Sequence, residues 1–227
     1  LRSDSGFAGG LPLTQDWMNN VIGLSVAMAL AGAAIGAFSA GSIADKIGRK
    51  PSMVIAAVLF LASAIGSGLP VTVWDFTFWR FLGGIAFGSA SVLAPAYIAE
   101  VSPAAMRGRL ASMQQLAIVI GIFVAQLSNY AISNSAGGAA SELALGAAAW
   151  RWMFWVEALP AALYGFLALM VPESPRYLVA QNRDAEARSV LDRVLGRNLA
   201  QGKISEIHDS LNKEHKPRLS DIMAKVG

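Results

Sequence analysis

Apolar residues fall in five long, nearly unbroken blocks, without the spacing of a soluble amphipathic helix or the alternation of a half-buried strand. The blocks run from Asn20 to Ala44, Pro51 to Pro70, Val73 to Ala99, Leu110 to Ser133 and Trp150 to Val171. Each can cross a hydrocarbon layer about 30 Å thick, which needs roughly 20 residues at the helical rise. The pattern therefore predicts five membrane-spanning helices, and the lack of alternation excludes a β-barrel. Glycine and alanine are dense inside the blocks, which suits helices packed backbone to backbone in lipid. After Val171 the spacing becomes that of short amphipathic helices. Val190, Leu191, Val194 and Leu195 form one stripe, closed by Gly196, and Ile204, Ile207 and Leu211 form a second, ended by Pro217. These helices are expected to lay their apolar sides on the ends of the spans, with a disordered linker as the alternative.

Composition agrees, since 55% of residues are apolar and only 15% charged, too little charge for a soluble domain of this size. The placement of the charge adds orientation. Of the 18 Lys and Arg, fifteen fall in the first and third connections or in the tail from Arg176 onward, so these segments are expected in the cytoplasm. Sorting by topology also argues against a nucleic-acid partner, which would need one interleaved basic and aromatic patch. There is no cysteine, hence no disulfide or thiolate metal site, and no cofactor is expected. His208 and His215 read as solvated. An odd number of spans places the ends on opposite faces. Residues 1–19 are accordingly expected to be an external loop following a helix that is missing, 20–171 a transmembrane bundle, and 172–227 a cytoplasmic helical domain.

Two charges fall well inside the spans, away from their ends. Arg80, in the third, would cost about 2.5 to 3.5 kcal/mol if unpaired, less if it snorkels. Glu157, in the fifth, comes to similar depth, so the two are expected to be close in space; separate snorkelling is the alternative. At the cytoplasmic ends, "GSIADKIGRK" carries Asp45 and Arg49, "AEVSPAAMRGR" carries Glu100 and Arg107, and "VPESPRYL" carries Glu173 and Arg176. Each helix end thus offers an acid and a base, and Arg49 can grip a carboxylate with two N–H groups.

Taken together, these segments resemble a known family. "GSIADKIGRK" is similar to the loop between the second and third helices of major facilitator carriers, while "RFLGGIAFGSASVLAPAYIAEVSPAAMRG" and "PESPRYL" resemble the marks of its sugar porters. The likeness covers practically the whole chain, and within the family it points to bacterial proton-coupled xylose symporters and their glucose-carrying relatives. It implies an all-α membrane protein of the major facilitator fold: an amino-terminal six-helix bundle lacking its first helix, plus part of the cytoplasmic helical domain. The missing carboxy-terminal six-helix half would complete the carrier.

The same resemblance implies proton-coupled transport of a monosaccharide by alternating access across a bacterial inner membrane. Asp45, Arg49, Glu100, Arg107, Glu173 and Arg176 would form a cytoplasmic gate of charges. Gln115 matches the family's sugar-binding glutamine. Ile118, Ile122 and Gln126 share its helical face, although Gln115 lies shallow unless its helix extends into the cytoplasm. Arg80 and Glu157 match a proton-coupling network. A facilitative uniporter, a drug or organic-ion antiporter and a non-transporting sugar sensor are the competing readings. A membrane-embedded enzyme lacks the paired carboxylates, Ser and His couple or metal ligands it would need.

Overall fold

The computed structural model describes residues 15–214. Five long helices dominate: α1 (Gln15–Ile47), α2 (Arg49–Gly68), α3 (Val73–Val101), α4 (Arg107–Ala136) and α5 (Ala149–Met170). All five are long and apolar enough to cross a membrane. α1 begins five residues before the predicted span, because Gln15 to Asn19 stay helical although they are too polar for the hydrocarbon layer. The rest of the expected external loop, residues 1–14, lies outside the described residues, as do Pro217 and His215.

α1 and α3 form the tightest pair. Gly32 and Gly36 on α1 face the carbonyls of Phe81 and Ile85, and Gly84 and Gly88 on α3 face those of Ala29 and Ala33. Each helix thus presents two glycines four residues apart to the other's backbone, so the axes approach where any Cβ would overlap a carbonyl. α2 packs on both α3 and α5. Gly66 and Gly68 there receive the rings of Trp79 and Trp155. α4 is the exception, with no buried residue along its length.

Local signals set the ends. Thr72 caps α3 by accepting from Asp75 N–H at 3.2 Å, while Asp75 accepts from Val71 N–H at 3.1 Å. Gly137, at φ 75°, closes α4 in the left-handed conformation. Between α4 and α5 the all-helical expectation meets a small departure, an antiparallel hairpin of β1 (Glu142–Ala144) and β2 (Ala147–Ala148).

Beyond α5 come α6 (Pro175–Ala180), α7 (Asp184–Leu195) and α8 (Arg197–Glu214). Their apolar stripes were expected against the span ends. They instead form a core of their own, in which Leu178, Val179, Ala187, Leu191, Ala200 and Ile207 are buried and Val190, Ile204 and Leu211 pack around them. Three short amphipathic helices can satisfy one another's faces once α6 supplies the third side. His208 is likewise not simply solvated: its Nε2 lies 3.1 Å from Asp184 Oδ2, joining α8 to the start of α7.

Candidate functional site

Where α1 gives way to α2 the chain turns at a single residue. Gly48 takes φ 100° and ψ 163°, a region that strains any residue bearing a Cβ. The turn leaves the first amides of α2 without intrahelical acceptors. Glu173, far along the chain, supplies them: its Oε1 accepts from the backbone N–H groups of Arg49 at 2.8 Å and Lys50 at 3.2 Å, and from Ser174 N–H at 2.8 Å. A carboxylate there also complements the positive end of the helix dipole. Gly48 is required a second time, because a Cβ would overlap this carboxylate.

The Arg49 side chain reaches across to α3. Nη2 donates to Glu100 Oε1 at 2.8 Å, and Nε lies 3.2 and 3.0 Å from the two oxygens. Nη1 meets Asp45 Oδ1 at 2.9 Å and the Ala44 carbonyl at 3.1 Å. Arg49 and Glu100 are 12% and 13% exposed, whereas Asp45 is 69% exposed. The Glu100 arm is therefore the stronger, being shielded from water, and the Asp45 arm is weakened by solvent. Ser174 Oγ donates to the second Glu100 oxygen. Tyr97 donates to the Pro172 carbonyl at 2.9 Å, and Tyr177 to that of Lys46 at 3.3 Å. The ends of α1, α2 and α3 and the segment after α5 are tied together at this point.

Four of the six expected gate residues, Asp45, Arg49, Glu100 and Glu173, meet here. Arg107 stands apart, exposed at the first residue of α4 and without an ion pair among the described residues. Its charge is felt on α8 instead, where Glu206 is held below the ordinary carboxylate range, first by the hydrogen bond and charge of Lys203 and then by Arg107. Arg176 is half-buried at the second residue of α6. Sequence reasoning missed Ser174, Tyr97 and Tyr177. A serine before a proline at a helix start is the legible signal for Ser174 as a cap, but nothing in the pattern reveals its bond to Glu100.

Inside the bundle, Arg80 and Glu157 line one cavity of about 290 Å³, with Phe60, Ser63 and Gly83 in its wall. They form no ion pair with each other among the described residues. The Arg80 guanidinium carbon lies 5.4 Å from the Phe154 ring centroid, a cation–π placement. Arg80 also borders a second, apolar cavity of about 370 Å³, shared with Val21, Ile22, Phe76 and Trp150. It therefore partitions two spaces.

Gln115, Ile118, Ile122 and Gln126 are all exposed on α4. After Pro103 a single 3-10 turn at Ala104–Met106 leads into α4, which starts at Arg107, three residues before the apolar block begins at Leu110, so the helix extends past that block in the direction the match of Gln115 needs. Gln115 lies about 12 Å along the axis from that start. Among the described residues no group of acidic and histidine side chains could hold a metal ion.

The family described as sugar (and other) transporter matches residues 8–226. The chain is 59% identical to a glucose transport protein of Synechocystis sp. over 206 residues, 90% of this chain and 44% of that protein. It is 37% identical to the D-xylose-proton symporter of Escherichia coli, covering 95% of this chain and 47% of the symporter. A partially occluded, inward-open structure of the E. coli xylose transporter matches with a TM-score of 0.83 at 36% identity, over 93% of this chain and 53% of that one. The same TM-score relates the chain to that symporter bound to 6-bromo-6-deoxy-D-glucose, at 37% identity, over 92% of this chain and 47% of the other. The chain spans about half the length of the curated relatives it matches.

Proposed function

Because the chain belongs to the sugar (and other) transporter family, we propose that it is part of a carrier that moves a monosaccharide, a pentose or a hexose, across the bacterial inner membrane by alternating access coupled to protons. The observation that carries this reading is the Arg49 cluster. Alternating access needs a closure at one mouth that is firm when dry and dissolves when water enters. Arg49 with Glu100 has that character: nearly enclosed, charge-assisted, and made between helix ends rather than within one helix. Water can replace each of its hydrogen bonds on opening, so the closed and open states stay near in free energy and substrate can bias them. Arg176 belongs to the same gate, and Arg107 joins it in a state other than the one described. The mouth it closes, with the tail after Val171, faces the cytoplasm.

Sugar contacts come from the α4 face bearing Gln115, Ile118, Ile122 and Gln126. An amide both donates to and accepts from a sugar hydroxyl, and these side chains are exposed among the described residues. Glu157, sharing a cavity with Arg80, serves proton coupling: protonation removes its attraction for the guanidinium and frees the pair to rearrange. Facilitative uniport is the second reading, favoured by the placement of Arg80 over Phe154 rather than on Glu157.

Uptake of labelled xylose, glucose and galactose by the intact protein, with and without a proton gradient, separates these readings. Accumulation that collapses with the gradient supports symport, and gradient-independent equilibration supports uniport. Gln115→Ala is expected to weaken apparent sugar affinity by about tenfold, the worth of one good hydrogen bond to a desolvated ligand. Unchanged affinity removes Gln115 from the site. Glu157→Gln is expected to abolish gradient-driven accumulation while sparing exchange, and equal loss of both assigns Glu157 to the fold alone.

A further inference from the structure

The hairpin between α4 and α5 stands apart from both sites. Its two strands are joined by Leu145 and Gly146, at φ 55° and 70°, so both loop residues are left-handed, as in the tightest hairpin turns. Asparagine and glycine suit such a turn; a leucine strains it. Leu145 is moreover 91% exposed, so no packing among the described residues offsets the strain. The most awkwardly held residue of the loop is also its most exposed large apolar one.

The surroundings indicate what this side chain meets. The hairpin leads directly into α5, whose first turns carry Trp150, Trp152 and Trp155. Trp152 Nε1–H donates to the Ala144 carbonyl at 3.3 Å, and its ring lies 5.2 Å from that of Trp155. The hairpin is thus tethered to a tryptophan girdle of the kind that sits at the headgroup level of a bilayer. Farther along the same helix, Leu159, Leu163 and Phe166 are exposed, continuing an apolar surface. Ala139 and Ala140 line the inner cavity beside Arg80. Leu145 and Gly146 instead border a separate recess of about 330 Å³ with Glu142 and Arg151. The Arg151 guanidinium carbon is 5.0 Å from the Trp150 ring centroid. Charges of both signs beside an apolar tip, at the girdle, match the chemistry of a zwitterionic phospholipid surface.

We propose that the Glu142–Ala148 hairpin is seated in the lipid headgroup layer on the side of the bundle opposite the Arg49 cluster, with Leu145 entering the acyl boundary and Arg151 and Glu142 lying among the headgroups. The hairpin then anchors the start of α5, and membrane contact replaces the packing that its strained tip lacks. This does not depend on which solute the carrier moves.

The chain has no cysteine, so a polarity-sensitive fluorophore can be placed at Leu145→Cys or at Glu142→Cys in the intact protein, any cysteine elsewhere in it being replaced. The protein is reconstituted in phosphatidylcholine and phosphatidylethanolamine vesicles. Lipid with a nitroxide at the fifth acyl carbon is expected to quench the label at 145 several-fold more than that at 142, and aqueous iodide the reverse. Three results overturn the proposal: strong iodide quenching at 145, which makes the tip a water-facing loop; shielding of 145 from both quenchers, which makes it a protein contact; and equal lipid quenching at both positions, which reflects the label's own partitioning.

Discussion

The α1–α3 pair and α4 are written in the same language, long apolar runs punctuated by small residues, yet they behave oppositely. In the pair, every glycine at the crossing meets a carbonyl of the other helix. In α4, Gly108 and Gly121 have nothing within 4 Å, and no residue is buried. Apolarity takes all three helices into the membrane, but it cannot hold one against another there, since lipid tails are as apolar as leucine. What holds α1 to α3 is close approach; what α4 offers is an unfilled face, the one that carries Gln115 and Gln126.

That contrast can be broken by one substitution made in both places. Gly88→Val should force α1 and α3 apart at the Ala33 carbonyl and lower stability by about 3 kcal/mol or more, or prevent folding. Thermal unfolding of the detergent-solubilised chain by size-exclusion chromatography reads either result. Smaller is Glu100→Gln, which leaves Arg49 nearly enclosed with a neutral partner and should cost about 2 kcal/mol in the same assay. Combined with Arg49→Gln it should fall short of additivity, because either change alone removes the shared interaction. Smallest is Gly121→Val on α4, expected to change stability of this chain by less than about 0.5 kcal/mol. If Gly121→Val proves as damaging as Gly88→Val, α4 is held by contacts that the structure does not show.

The five spans were legible because a bilayer imposes a length and a composition that no other environment demands. Their boundaries were less so: Gln15 to Asn19 continue α1 where hydrophobicity has ended, since a helix leaving lipid needs no apolar residue to persist. The meeting of Arg49 with Glu100 could be anticipated from complementary side chains at neighbouring helix ends. The role of Glu173 could not, because its partners are backbone amides, which every residue carries and no sequence pattern marks. Arg107 was grouped with the cluster by likeness, and the structure leaves it outside, exposed at the start of α4. Position along the chain does not say which way a helix start faces. The hairpin at Leu145 was invisible for the opposite reason, its sequence arguing against the turn it makes.

The carboxylate that completes the first turn of α2 stands 124 residues after the amide it serves. During synthesis α2 therefore emerges with its opening N–H groups unanswered. They must be met by water at the membrane surface until α5 has been inserted and the segment behind it has come into reach. Maturation of this bundle ends at its beginning: the early helices can pair as soon as they are made, but the first turn of α2 is completed only when Glu173 arrives.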